Sequence, residues 1–400
     1  MSAASFPHYF QTQLKKKILA SYRRLDFCLR PMGNILSSNS IGTLKKERAD
    51  SDTTSEQSSN SHDPCADKVC ISRKLQSEKA LWGTKDFFET ELLKSLNLTK
   101  ISAPLFLSSG TGLSDCSVIK PNVVRFEMAN GQMAEIPRAL SRWKRVALNS
   151  YGITPGNGGI CVYMNGIRPT AGNCDDTHSH FVDQWDWEVP LLPEERTLET
   201  LKSVVQKIYL TLTKTANFIR KEYGIFTPMP EEITFVHTTQ LEQEYPDLTP
   251  EERETQACLK YGAVFLIGIG AKLADGNPHG SRTADLDDWS TETELGPGLN
   301  GDILVLWRGQ ALELSSMSIR VDAKAMAYQL KERNLEKERM ALPFTMQVLR
   351  EEIPNTIGGG IGISRVAMFL LQKRHIAEVQ ASVWPPEMVV KMNAEGIDYL

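Results

Sequence analysis

Hydrophobic and polar positions follow readable periods over most of the chain. Over residues 73–96, Leu75, Ala80, Leu81, Phe87, Phe88, Leu92, Leu93 and Leu96 form one apolar face, which predicts a helix. A short strand is expected at 100–107, with Pro104 marking an edge, a bend or an interface. The spacing then predicts a helix at 132–150, strands at 159–167 and 179–188 around a polar loop, and a long amphipathic helix at 195–223 that stops at Gly224. Thr249-Pro250-Glu251-Glu252 reads as a helix start, with a capping Thr, Pro in the first turn and Glu three residues after the cap. That helix should end at Gly262 and feed an apolar strand at 263–269. Strands at 302–308 and 311–321, separated by Gly309-Gln310, suit a tight hairpin. Helices at 322–334 and 343–350 follow, then the helical run "SRVAMFLLQ" and a last strand "VQASVW". Hairpins recur without β-α-β alternation or internal repeat. The fold class expected is therefore α+β, a largely antiparallel sheet flanked by helices.

Composition changes this picture at one end. Residues 35–68 are Ser-rich and poor in large apolar side chains, too polar to offset the entropy of ordering. The expected organisation is a disordered extension over 1–70 and a folded domain over 71–400. Residues 1–31 hold six basic residues and one acid, which suits either an organelle transit peptide or a dispensable extension. The rest is ordinarily globular, 41% hydrophobic and 24% charged. A formal net charge of -4 makes no electrostatic case for nucleic acid as the main partner. No apolar run is long enough to span a membrane. Seven dispersed cysteines without a CxxC pair read as reduced thiols, and Cys65 and Cys70 lack partners for zinc.

Several stretches carry chemistry. "GGGIGISR" places Gly358, Gly360 and Gly362 at alternate positions before Arg365. It lacks the Lys of a P-loop and the spacing of a dinucleotide loop. Alternating glycines suit a strand bare on one face, where a base or ribose lies flat, with Arg365 meeting phosphate from the next helix turn. Close helix–strand packing selects the same glycines. Asp302 and Glu313 stand on consecutive strands of one hairpin, either as a Mg²⁺ seat for a triphosphate or as two solvated edge carboxylates. In "FVDQWDWE", alternation puts Gln184, Asp186 and Glu188 on one face and Asp183, Trp185 and Trp187 on the other. Lys144, Arg145 and Arg168 flank strands and suit carboxylate or phosphate, or are surface charge. Asp285, Asp287 and Asp288 are either a cation site or a solvated turn. His178 and His180 lack a third ligand at motif spacing and read as structural.

Taken together, these stretches resemble the class II aminoacyl-tRNA synthetase fold. The helix and strand around Pro104 look like its first motif, a dimer interface. Arg168 with its loop looks like the second, and GxGxGxxR ending at Arg365 like the third. The likeness is closer to one relative of that fold, ammonia-dependent asparagine synthetase A. "SRWKR", "VDQWDWE", "GAVFLIGIGAKLADG", "DDWST", "GLNGDILV", "ELSSMSIRVDA", "PNTIGGGIGISR" and "VQASVWP" resemble segments of that family in its order, from about residue 70 to the end.

The resemblance implies an adenylate-forming domain over 71–400 that makes L-asparagine from L-aspartate, ATP and ammonia. β-Aspartyl-AMP is the implied intermediate, with Mg²⁺ required, AMP and pyrophosphate released, and a cytoplasmic homodimer as the assembly. Arg168 and Arg365 are then phosphate clamps, Asp302 and Glu313 metal ligands, and Gly358, Gly360 and Gly362 part of the ATP site. Lys144 binds a carboxylate of aspartate. Asp115, Gln184 and Asp186 recognise its ammonium or orient it, and Asp287, Ser315 and Ser316 line the same pocket. Asp115 or Asp287 takes the proton from incoming ammonium. Strict alternation separates Ser315 from Ser316, so both reach one pocket only if the strand bulges. Residues 1–70 are too polar for an anticodon-binding barrel, so no tRNA partner is expected. Residue 2 is Ser rather than the Cys of glutamine-dependent enzymes, which favours ammonia as the donor. A synthetase paralogue with another acceptor and a non-catalytic binding protein are the rival readings.

Overall fold

The computed structural model describes residues 64–114, 123–168 and 174–400. Everything below concerns the compact unit Lys68–Leu400. The expectation of disorder over 1–70 lies outside the described residues as far as 63. From Pro64 the chain is helical, so the expected boundary at 71 falls inside helix α1 (Pro64–Ser95).

The strands are β1 (Leu98–Lys100), β2 (Leu107–Ser108), β3 (Val124–Glu127), β4 (Met133–Ile136), β5 (Gly159–Ile167), β6 (Phe181–Leu191), β7 (Thr234–His237), β8 (Ala263–Ile267), β9 (Glu292–Thr293), β10 (Gly296–Pro297), β11 (Asn300–Trp307), β12 (Gln310–Ile319) and β13 (Asn355–Gly362). The helices that follow α1 are α2 (Ser141–Ser150), α3 (Leu198–Tyr223), α4 (Thr238–Glu244), α5 (Pro250–Tyr261), α6 (Ala323–Glu332), α7 (Glu336–Arg339), α8 (Pro343–Leu349), α9 (Ile363–Leu370) and α10 (Pro386–Ala394). Eight strands form one sheet in the order β1-β5-β6-β13-β12-β11-β8-β7. All its joints are antiparallel except β1 with β5 and β8 with β7 at the two edges. The α+β expectation holds.

The two sheet faces differ in chemistry. One buries Trp185, Trp187, Ile303, Met317 and Ile361 against α1, α3 and α9, with Phe88 stacked on Trp185 at 4.5 Å between ring centroids. This face supplies the hydrophobic driving force of folding. The other is polar at its centre and is roofed by α2. Local signals set the helix ends. Gly224 ends α3 at φ 69, where a side chain would be strained, and the Thr249–Glu252 capping box starts α5 as expected. Arg308 and Gly309 both have positive φ (49 and 88), so they, rather than Gly309-Gln310, make the β11–β12 turn.

Three expected elements are different. The strand expected at 100–107 is irregular over 101–106, between the end of β1 and the start of β2. Residues 132–150 are not one helix: they form β4 and then α2. "VQASVW" is not a strand. It follows a short 3₁₀ turn at Ile376–Glu378 and runs irregularly into α10. β1 and β7 are the edge strands of the sheet, and neither pairs with this segment. Gln380 instead spends its amide on Ser364 at 3.0 Å and on Ser179.

Candidate active site

Two rows of register partners cross the polar face. Asp302, Ser316, Gly360 and Asp186 form one, and Asn300, Ser318, Gly358 and Glu188 the other. Cross-strand partners share a face, so these rows bring β11, β12, β13 and β6 to one surface. A β-bulge then matters. Ile303 pairs with Ser315 but Leu304 pairs with Glu313, leaving Leu314 as the extra residue. Without it, Glu313 would point into the core with Ser315 and Met317. With it, Glu313 returns to the face of Asp302.

The inner end of this surface is closed. Lys144, from α2, is 0% exposed. Its ammonium reaches Asp186, the Trp187 carbonyl at 2.7 Å and the Gly359 carbonyl at 3.3 Å, with a Glu188 oxygen at 3.4 Å. Arg320 grips Glu188 in a fork, Nε to Oε1 and Nη2 to Oε2, both 3.0 Å. It also donates to Asp287 at 2.7 Å. Burial alone would push the Glu188 carboxyl up, but Arg320 and Lys144 overcome it and hold it below the usual glutamate range. A Cβ on Gly358 would lie 1.8 Å from Glu188 Oε2, and one on Gly360 would lie 2.7 Å from Gln184 Oε1. These glycines therefore make room for the acid and the amide of β6.

The outer end opens into a cavity of about 460 Å³, lined by Arg168, His178, Gln184, Glu313, Gly360, Gly362 and Arg365, among others. Arg365 lies in the first turn of α9, whose Ser364 N–H donates to Asp183 at 3.1 Å. Its guanidinium donates to the Glu313 carbonyl at 3.1 Å and sits 3.5 Å from the Glu313 carboxylate. Its Nη2 is 2.7 Å from His178 Nε2, and His178 Nδ1 is 2.9 Å from Asp175. The Nη2 group can only donate, so His178 Nε2 accepts there and Nδ1–H faces Asp175. Glu313 is exposed at the mouth of the cavity, with protein enclosing the rest of it. That enclosure would raise its carboxyl, but Arg365, Arg282 and Arg168 hold it low. Asp302 is different: burial, joined by the charge of Glu313, outweighs Arg282 and pushes its carboxyl above the usual aspartate range.

The site residues expected from the sequence separate into three groups. Lys144, Gln184, Asp186, Asp302, Glu313, Ser316, Gly360, Gly362, Arg168 and Arg365 gather at the cavity or on the face that continues from it. Asp287 joins through Arg320 and Ser318. Ser315 does not. Strict alternation from Ser316 leaves it on the opposite face, because the bulge falls beyond it at Leu314, and its hydroxyl donates to the Gly360 carbonyl at 3.1 Å. Gly358 is also not at the cavity, since Glu188 fills the space beside it. Asp115 lies outside the described residues.

Other residues were missed or misread. His178 is not a bystander but part of the cavity wall beside Arg365. The acidic loop is neither a solvated turn nor a cation cluster. Asp285 is buried between Arg142 and Arg339, Asp287 meets Arg320, and Asp288 meets Arg196. Arg282 and Arg320 escaped notice. Their only signal was charge near or inside apolar strands. Among the described residues no group of three or more His, Cys, Asp or Glu is arranged to hold a metal. Asp302, Glu313 and the Ser316 hydroxyl nonetheless form a hard-oxygen set. Two carboxylates completed by substrate phosphates and water are a usual Mg²⁺ arrangement, so these residues fit that ion.

Comparison with known proteins identifies the family and the fold. An aspartate-ammonia ligase family model matches residues 75–396. An aspartate–ammonia ligase of Clostridium perfringens is 47% identical over 330 residues, 81% of this chain and 95% of that protein. One from Fusobacterium nucleatum is 46% identical over 317 residues, 78% and 94% of the two chains. Among solved structures, the asparaginyl-tRNA synthetase of Entamoeba histolytica in complex with asparaginyl-adenylate superposes with a TM-score of 0.56 at 14% identity, covering 78% of this chain and 69% of that one. The fold is that of the class II asparaginyl- and aspartyl-tRNA synthetases.

Proposed function

The chain belongs to the aspartate-ammonia ligase family and is a ligase, and on that premise we propose how its site joins ammonia to the side chain of L-aspartate at the expense of ATP. The observation that carries the reading is the continuity of two charged surfaces. Arg168 and Arg365 at the cavity suit phosphate, and Gln184 on its wall, with Asp186 and Lys144 buried behind it, suits a small amino acid.

In the first step the β-carboxylate oxygen of aspartate attacks the α-phosphorus of ATP. A P–O bond forms, the bond to pyrophosphate breaks, and β-aspartyl-AMP results. Carboxylate and triphosphate repel each other, so fixed cations must carry the reaction. Arg365 is suited because α9, Glu313 and His178 fix its fork before substrate arrives. Mg²⁺ held by Asp302 and Glu313 would neutralise triphosphate charge. In the second step ammonia nitrogen attacks the acyl carbon. The C–O bond to phosphate breaks, AMP leaves with the electron pair, and the nitrogen loses a proton.

In this reading Gln184, on the cavity wall, and Asp186, buried behind it on the same strand face, meet the substrate ammonium. Lys144 has its donors engaged, so it meets a substrate carboxylate by giving up the Gly359 carbonyl, its longest backbone contact. Asp115 or Asp287 accepts the proton. Gly362 has no foreign atom closer than 3.5 Å to its missing Cβ and leaves room for the nucleotide.

A homodimer in the cytoplasm is part of the same reading. Exposed Leu105 and Phe106 beside Pro104 support the dimer. Among the described residues no helix is long and apolar enough to cross a membrane. The reading is tested by incubating the protein with aspartate, ATP, Mg²⁺ and ammonium. Asparagine, AMP and pyrophosphate should appear in equal amounts. Pyrophosphate exchange without asparagine would favour another acceptor, and neither signal would favour a binding protein.

A further inference from the structure

Arg282 stands on the carboxylate that a divalent cation needs. Its Nη2 is ion-paired with Asp302 and lies 3.2 Å from Ser316 Oγ, the register partner of Asp302 on β12. Its side chain is only 18% exposed, so these acceptors replace water around the guanidinium. A guanidinium does not lose its proton in a protein. It cannot relieve repulsion from an arriving cation by becoming neutral, so it must move. The means to move is present: residues 281–283 belong to no helix or strand, and a second carboxylate, Asp287, lies 3.8 Å from Nε.

We propose that Arg282 is a resident counter-cation of Asp302, displaced when a divalent metal binds. It acts as a positioning residue that keeps metal affinity low until a triphosphate offers the guanidinium new oxygens. This inference rests on the reading of Asp302 and Glu313 as the metal seat. Two cations drawn to one carboxylate in a partly enclosed site repel strongly. Removing the resident one therefore strengthens binding of the other. A merely structural arginine would have the opposite effect, because its loss would loosen the site.

The test measures Mn²⁺ binding to the full-length chain without nucleotide, by electron paramagnetic resonance of the free ion. Arg282→Gln should bind Mn²⁺ at least about tenfold more tightly than the native chain, and Asp302→Asn should abolish that binding. A non-hydrolysable ATP analogue should narrow the gap between Arg282→Gln and the native chain. If Arg282→Gln loses its near-ultraviolet dichroism, Arg282→Met keeps the aliphatic packing and carries the same expectation. Unchanged or weaker Mn²⁺ binding in the folded variant, with Asp302→Asn still abolishing it, would overturn the role of Arg282 alone. Indifference of Mn²⁺ to Asp302→Asn would overturn the metal seat and the inference together. Neither result depends on whether asparagine is formed.

Discussion

The inner and outer ends of the site use the same kinds of residue under opposite conditions. At the inner end Lys144, Asp186, Glu188 and Arg320 are almost wholly buried, and each charge is closed by another. At the outer end Arg365 and Glu313 are 20% and 44% exposed and meet partly through a backbone carbonyl. Buried charges cost several kcal/mol each to desolvate, so the inner end tolerates no missing partner. Exposed pairs contribute about 0–1 kcal/mol and are cheap to exchange. The inner network thus holds the surface in shape, while the rim arginines can trade a glutamate for a phosphate.

The sharpest way to break this comparison is to open the inner network. Glu188→Ala leaves Arg320 and Lys144 without their shared carboxylate and should cost about 3–5 kcal/mol of stability. Urea denaturation would show it, and a loss below about 1 kcal/mol would mean that the network is not structural. At the rim, Arg365→Ala should lower kcat/KM for ATP by about 10²–10³, while stability moves by about 0.5 kcal/mol or less. A comparable loss of stability there would erase the distinction.

A pair of glycines refines the contrast without changing any charge. Gly358→Ala must push Glu188 aside and should cost about 1–3 kcal/mol. Gly362→Ala makes only ordinary van der Waals contacts, should leave the melting temperature nearly unchanged, and should raise KM for ATP. Equal melting shifts in the two would argue against the assignment of Gly358 to Glu188.

The smallest effect is acid dependence. Glu188 is held below its ordinary value of 4.5, so its contribution to stability is complete above that pH and is lost as pH falls through its folded value. Glu188→Gln should flatten the acid limb of the stability profile in that window. An Arg365→Ala profile that flattened equally would misplace the sensitive carboxylate.

Much of the fold was legible because its signals are local. The Thr249 cap, the Gly224 stop and the alternation that sends Trp185 and Trp187 to one face need only a few neighbouring residues. The final "strand" failed because alternation in "VQASVW" cannot report that Gln380 finds distant side chains, Ser364 and Ser179, rather than a neighbouring strand. Gly358 was legible as a position without a side chain. What fills the space is a carboxylate 170 positions earlier in the chain, which periodicity cannot name.

The sequence by itself determined the α+β class, the helix ends and the set of chemical groups, because period, capping and residue type act over one or two turns of chain. Tertiary structure alone decided which groups meet. One bulge at Leu314 turned Glu313 from the core face to the polar face, while Ser315 stayed with the core. Strand order set Glu188 against Gly358 and Arg320, and a loop outside the sheet laid Arg282 on Asp302. Register and loop placement are properties of pairs of segments far apart in the chain, and a single residue shift reverses every side chain that follows.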